Sequence, residues 1–166
     1  MLKRAFSLIA LAVSLIGFSF TTTTELQPSA FQPFEGSWNG KLEYRDYTSS
    51  EWVGMPLEGA AFLKGNAFHL KYLLKEGKGY KQHYVYAIKD GTVYSGGAWK
   101  TESFQPLSSG AFQLVMSQKG RDGNDHKPCT FRVRFEGSAK NLTITKEVRF
   151  DGEADFFVRN QYSLNR

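Results

Sequence analysis

From Phe34 onward the chain alternates apolar and polar residues with a period of two. Trp38, Leu42 and Tyr44 share one parity with Gly40 between them, while Asn39, Lys41, Glu43 and Arg45 take the other. That is the pattern of a strand with one buried face. Trp52 to Lys64 repeats it, with Val53, Met55, Leu57, Gly59, Ala61 and Leu63 on one face, and Gly54 and Pro56 marking a bend or an edge. Gly65-Asn66 then reads as a two-residue hairpin turn pairing Lys64 with Ala67. This register sets Leu63 opposite Phe68 and Ala61 opposite Leu70, so the third strand turns Phe68, Leu70, Tyr72 and Leu74 inward.

Gly77-Lys78-Gly79 fits a three-residue loop joining Glu76 to Tyr80, which places Tyr84, Tyr86 and Ile88 opposite Tyr72, Leu70 and Phe68. Asp90-Gly91 is the strongest hairpin signal in the chain. It predicts one strand from Thr92 onward with Val93 opposite Ile88, Ser95 opposite Tyr86, Gly97 opposite Tyr84 and Trp99 opposite Gln82. After a longer connection, alternation returns four times. Its apolar positions are Phe112, Leu114 and Met116; Cys129, Phe131, Val133 and Phe135; Leu142, Ile144, Val148 and Phe150; then Phe156, Val158 and Tyr162. The prediction is an all-β fold of about nine strands, within a range of 8–10, and no helix. Short hairpins in sequence make an antiparallel up-and-down meander, and closing it into a barrel removes the exposed edges of so long a sheet. A two-sheet sandwich is the alternative.

The N-terminus follows another pattern. Met1-Leu2-Lys3-Arg4 is basic, and Ala5 to Phe20 is apolar apart from three serines, which reads as a secretory signal. At about 16 residues the run is short for a membrane helix, an uncleaved anchor being the competing reading. Thr21 to Pro33 has a threonine run, two prolines and no apolar period. The expected organisation is a signal peptide over 1–24, a disordered spacer over 25–33 and a barrel domain over 34–166. The mature protein would be secreted or periplasmic, with no membrane span after signal removal. Of the net charge of +5, Lys3 and Arg4 supply two, and the remainder is scattered without blocks, so no nucleic-acid partner is implied. Cys129 is the single cysteine, so an exported domain has no internal disulfide and relies on its core.

The inner face mixes large and small residues. Tyr44, Tyr72, Tyr84, Tyr86, Trp99, Met116 and Phe131 form the candidate ligand-binding wall, facing Gly40, Gly59, Ala61, Ser95 and Gly97. Small residues opposite aromatics either leave a space for a small molecule or are filled over by the rings, and the residues alone leave both open. His69 and His83 face outward four strand positions apart, about 13 Å at ~3.3 Å per residue, too far to share an ion. Asp122-Gly123-Asn124-Asp125 reads as a turn, Cys129 as an inert buried thiol, and Glu147, Arg149 and Arg159 as an outer solvated face. No phosphate loop, nucleophile elbow, metal set or cofactor motif is present, and no catalytic set is visible.

Gly36-Ser37-Trp38 resembles the G-x-W opening of lipocalins and related calycin barrels. The resemblance implies that Trp38 plugs one end of the barrel, that a C-terminal arginine, Arg166 or Arg159, packs over it, and that the interior holds a ligand. It is to a lipocalin-like barrel rather than a true lipocalin, because the T-D-Y segment, the disulfide and the C-terminal helix are absent. Fatty-acid-binding barrels, similar in topology, hold a carboxylate with an R-x-Y pair; here Arg159 and Tyr162 are three apart, on opposite faces of a regular strand. The function implied is an exported, monomeric barrel binding an apolar or aromatic small molecule, without cofactor. The alternatives are an isomerase or haem-dependent enzyme on the same barrel, or a structural barrel with a filled core.

Overall fold

The computed structural model describes residues 25–107 and 110–166, so the expected signal peptide lies outside the described residues. Ten strands follow a short 3-10 helix: β1 (Gly36–Arg45), β2 (Trp52–Lys64), β3 (Ala67–Leu74), β4 (Tyr80–Lys89), β5 (Thr92–Tyr94), β6 (Ala98–Pro106), β7 (Phe112–Asp122), β8 (Lys127–Gly137), β9 (Asn141–Phe150) and β10 (Phe157–Asn165). Each pairs with its sequence neighbours and β10 closes on β1, giving an antiparallel meander barrel. Leu63 stands opposite Phe68 and Ala61 opposite Leu70. Asp90 and Gly91 both take positive φ, the backbone of a tight hairpin turn.

Two loops depart from the sequence reading. The β3–β4 loop holds five residues, not three, because Lys75 leaves the ladder to donate its N–H to the Pro56 carbonyl (2.9 Å) and Gly79 N–H closes on Glu76 O (2.8 Å). The register moves by two residues, placing Tyr84 opposite Leu70 and Gln82 opposite Tyr72. An even shift preserves the inward face, so burial alone does not distinguish the registers.

The second departure is the strand predicted from Thr92 through Trp99. It breaks after Tyr94, where Ser95 N–H bonds to Gly97 O (2.9 Å) across a turn made possible by φ of +65° at Gly96 and +149° at Gly97. The chain doubles back, with Ala98 opposite Tyr94 and Trp99 opposite Val93 rather than Gln82. In consequence β4 pairs with β5 only through Ala87–Lys89, and β6 pairs with β7 only from Lys100 onward. Tyr80–Tyr86 and Gln118–Asp122 therefore have no ladder partner on their facing sides, which leaves a slot in the barrel wall.

The opposite end is closed by residues expected to form a disordered spacer. Pro28–Phe34 is a 3-10 helix. With three residues per turn, Phe31 and Phe34 fall on the same side, and both are completely buried. Phe31 stacks on Phe68 (4.6 Å between centroids) and meets Phe112 (5.1 Å) and Phe135 (5.8 Å) edge-on. The polar, proline-containing composition concealed a plug whose aromatics supply the burial that a spacer lacks.

Trp38 and Arg166 hold that plug. The buried Trp38 indole donates its N–H to Phe34 O (2.8 Å), Arg166 places its guanidinium 4.0 Å from the Trp38 ring, and Arg166 Nη2 donates to Pro33 O (3.2 Å). Gly36 allows the approach, since its φ of +127° disfavours a side chain and a Cβ there would lie 3.6 Å from the Arg166 guanidinium.

Candidate ligand-binding chamber

With the plug filling one half of the barrel, open space lies in the other. Tyr84 and Tyr162 project from facing walls with their hydroxyls 3.2 Å apart, and both reach Gln82 Oε1, at 3.1 and 3.0 Å. This bridge separates two cavities. The smaller, about 250 Å³, is lined chiefly by Tyr86, Trp99, Phe131, Val133, Ile144 and Lys146 and lies beside the wall slot, where Ser95 and Gln118 also border it. The larger, about 400 Å³, lies toward the 46–51 and 75–79 loops and is lined by Tyr44, Met55, Leu74, Tyr80 and Arg159.

The candidate residues thus divide. Tyr84, Tyr86, Trp99 and Phe131 converge on the smaller chamber, and the Trp99 indole is fixed by its N–H to Ser95 O (2.9 Å). Tyr44 faces the larger cavity. Tyr72 stacks beneath Tyr162 (4.9 Å, 13°), its buried hydroxyl without a hydrogen-bond partner among the described residues. Met116 is completely buried in the packed core and lines neither cavity. The space expected over Gly59 and Gly97 is occupied: the Tyr72 ring lies 2.9 Å from where a Gly59 Cβ would stand, and the Gln118 amide covers Gly97.

Sequence reasoning passed over Lys146. It shares parity with Ile144 and Val148, stands between Val133 and Asn160 in the sheet, and carries its Nζ to 4.1 Å from the Phe131 ring centroid. Burial pushes its pKa below that of an ordinary lysine, an effect opposed by the charge of Asp122. Among the described residues Lys146 makes no ion pair, and no carboxylate lines the chamber. Burial drives the Tyr86 and Tyr162 phenols far above their ordinary pKa, so they remain neutral hydrogen-bonding groups.

Arg159 and Glu147 do not lie on a solvated face. The β10 register shifts between Val158 and Asn160, making Arg159 the extra residue of a bulge. Its guanidinium is buried, with Nη2 and Nε at 2.6 and 2.9 Å from Asp122 Oδ2, and it stacks on Tyr47 (4.2 Å), whose hydroxyl donates to Asp122 Oδ1 (3.0 Å). The bulge brings Arg159 and Tyr162 to one cavity, correcting the opposite-face reading, but Asp122 already occupies the guanidinium. On the outer wall, burial alone would raise the Glu147 carboxyl, but hydrogen bonds from Arg132 and Arg134 outweigh it and hold the pKa low. Arg132 also covers Phe156 (3.9 Å), and Val158 stands opposite Glu147, so both lie outside rather than within the barrel.

The histidines also differ from expectation. The two-residue register shift puts His83 opposite Lys71, and His69 Nδ1 lies 3.0 Å from His83 Nε2 rather than about 13 Å away as strand spacing implied. His69 also stacks on Phe62 (4.7 Å). Burial, followed by the charges of His83, Lys64 and Lys71, lowers the His69 pKa. Among the described residues no group of three or more His, Cys, Asp or Glu is placed to hold a metal ion. Cys129 is buried, which pushes its thiol pKa up and leaves it a poor nucleophile.

Comparison with models of protein families gives no match. Over 46 residues, 26% of this chain, the sequence is 50% identical to the DNA repair protein RecO of Paraburkholderia xenovorans (strain LB400). The match spans 15% of that protein's length and assigns no family. The class defined by the fold is a closed ten-stranded antiparallel barrel, compatible with calycin-type barrels, with one plugged end and an aromatic interior chamber.

Proposed function

We propose that the protein is an exported barrel that binds an apolar or aromatic small molecule in the chamber beneath the Tyr84–Tyr162 bridge. The observation that carries this reading is a cavity of about 250 Å³ bounded by Tyr86, Trp99 and Phe131 in a barrel whose other end is closed by the buried Phe31 and Phe34 of the plug. Aromatic rings offer stacking surface, and a few polar groups fix orientation, the usual composition of a small-molecule site. The volume falls below the ~300–1,000 Å³ of drug-sized sites, so the ligand is a compact molecule of one or two rings. The wall slot beside Ser95 and Gln118 gives it a route inward. Export is supported by the basic start and apolar run of the sequence. The haem-dependent alternative has no interior histidine to draw on: His69 and His83 stand on the outer wall, and His126 is in an exposed loop.

The test is calorimetric titration with a panel of one- and two-ring compounds, and with haem, on the parent protein and on Val133→Phe. Val133 lines the chamber, so the added ring should abolish binding at an overpacking cost of no more than about 1–3 kcal/mol. Absence of binding across the panel would return the barrel to a purely structural reading.

A further inference from the structure

The chamber has an uneven charge pattern. Among the described residues Lys146 is the one basic side chain that lines it, and no acid does. The acid nearest in chemical terms, Asp122, is bound by Arg159 on one oxygen and by Tyr47 on the other. A partly buried amine without a counter-ion beside it is unfavourable unless something compensates its charge. Position 146 shares the inward parity of Ile144 and Val148, so β9 holds Lys146 toward Phe131 and the chamber. Around it stand two further side chains able to donate hydrogen bonds, Gln118 and Asn160, suited to a second oxygen of the same anion.

Building on the interior-binding reading above, we infer that the ligand is a monoanionic aromatic acid, its carboxylate or equivalent anion held by Lys146 Nζ and its ring system stacked among Trp99, Phe131 and Tyr86. The carboxylate supplies the counter-ion missing from the chamber, and the rings supply the apolar contact. The site is separate from the Arg159–Tyr162 pair, whose guanidinium is already neutralised by Asp122. Binding is a reversible ion pair between the ammonium and the anion, with no covalent step.

A matched pair of probes tests this: 2-naphthoate and its uncharged isostere 2-naphthamide, titrated by calorimetry into the parent protein, into Lys146→Met and into the exposed-surface control Lys119→Met. The parent should bind the acid at least about tenfold more tightly than the amide, the scale of one desolvated charged hydrogen bond. Lys146→Met should erase that preference while leaving amide affinity within about threefold, and Lys119→Met should change neither. Equal binding of acid and amide by the parent, or a preference that survives Lys146→Met, would overturn the inference while leaving interior binding standing. Failure of both probes to bind would remove the inference together with the reading on which it rests. The parent's acid-to-amide ratio decides the matter even if Lys146→Met does not fold.

Discussion

Phe31→Ala isolates the role of the 3-10 plug. Its side chain is completely buried and touches rings from β3, β7 and β8, so truncation leaves a cavity bounded by Phe68, Phe112 and Phe135. Those rings sit on strands locked by neighbouring ladders on both sides and cannot collapse far. The loss therefore belongs with large-to-small core substitutions, about 3–5 kcal/mol for Phe to Ala. At about 3 °C per kcal/mol for a domain of this size, Tm should fall by about 10–15 °C. Urea unfolding followed by Trp fluorescence should show the midpoint drop with little change in slope. Tyr80→Ala is the control, because Tyr80 is 62% exposed and its removal should cost less than about 0.5 kcal/mol. Equal midpoints for Phe31→Ala and Tyr80→Ala would show that residues 28–34 do not hold the barrel and would restore the spacer reading.

Trp38→Ala should also cost about 3–5 kcal/mol, far more than His83→Ala, since it removes a buried ring and the donor that holds Phe34 O; equal melting temperatures would contradict the latch. Lys146→Met should raise the Tm of the ligand-free protein at pH 7, because a lysine whose folded pKa is depressed makes the fold less stable while it is charged. For the same reason affinity for 2-naphthoate should fall as pH rises toward the ~10.4 of free lysine, and that for 2-naphthamide should not. The groups able to modify this titration are Asp122, Cys129, Arg159, Tyr84, Tyr86 and Tyr162, and an acid affinity flat to pH 11 would refute it. His69, with its folded pKa depressed, contributes stability that is complete above the ~6.5 of free histidine and is lost as pH falls through the folded value. His69→Gln should flatten that acid limb, and an unchanged limb would show that neither the burial of His69 nor the charges of His83, Lys64 and Lys71 shape it. Mass spectrometry of native protein should show loss of an N-terminal signal that ends before the 28–34 plug, about 20–25 residues; an intact Met1 on mature protein would contradict export.

The barrel was legible in the sequence because each strand keeps one face buried, and a period of two survives every even register error. Asp90-Gly91 and Gly65-Asn66 also fixed their hairpins, since the backbone they need is one that few residue pairs adopt. What the pattern could not fix was how far along each loop the pairing resumes. Gly77 and Gly79 permit loops of three or five residues, and the choice depends on Lys75 finding Pro56 O on another strand. The same indeterminacy concealed the His69–His83 contact. The split between β5 and β6 had a local signal in Gly96-Gly97, outweighed by the continuing alternation through Trp99. Lys146 was obscured by its charge, though its parity with Ile144 and Val148 pointed inward. The Arg159 bulge had no local signal, because its reason is Asp122, 37 residues away in sequence.

The central claim, that the chamber beside Trp99 receives the ligand, is tested most directly by the three indole N–H resonances of the 15N-labelled protein during titration with 2-naphthamide. Trp99 lines the chamber, Trp38 is sealed beneath the plug at the other end and Trp52 is exposed on the outer wall. The account predicts that the Trp99 resonance moves saturably while those of Trp38 and Trp52 stay in place. A saturable shift confined to Trp52, or no shift at Trp99 when calorimetry shows binding, would place the ligand outside the Trp99 chamber and contradict the account.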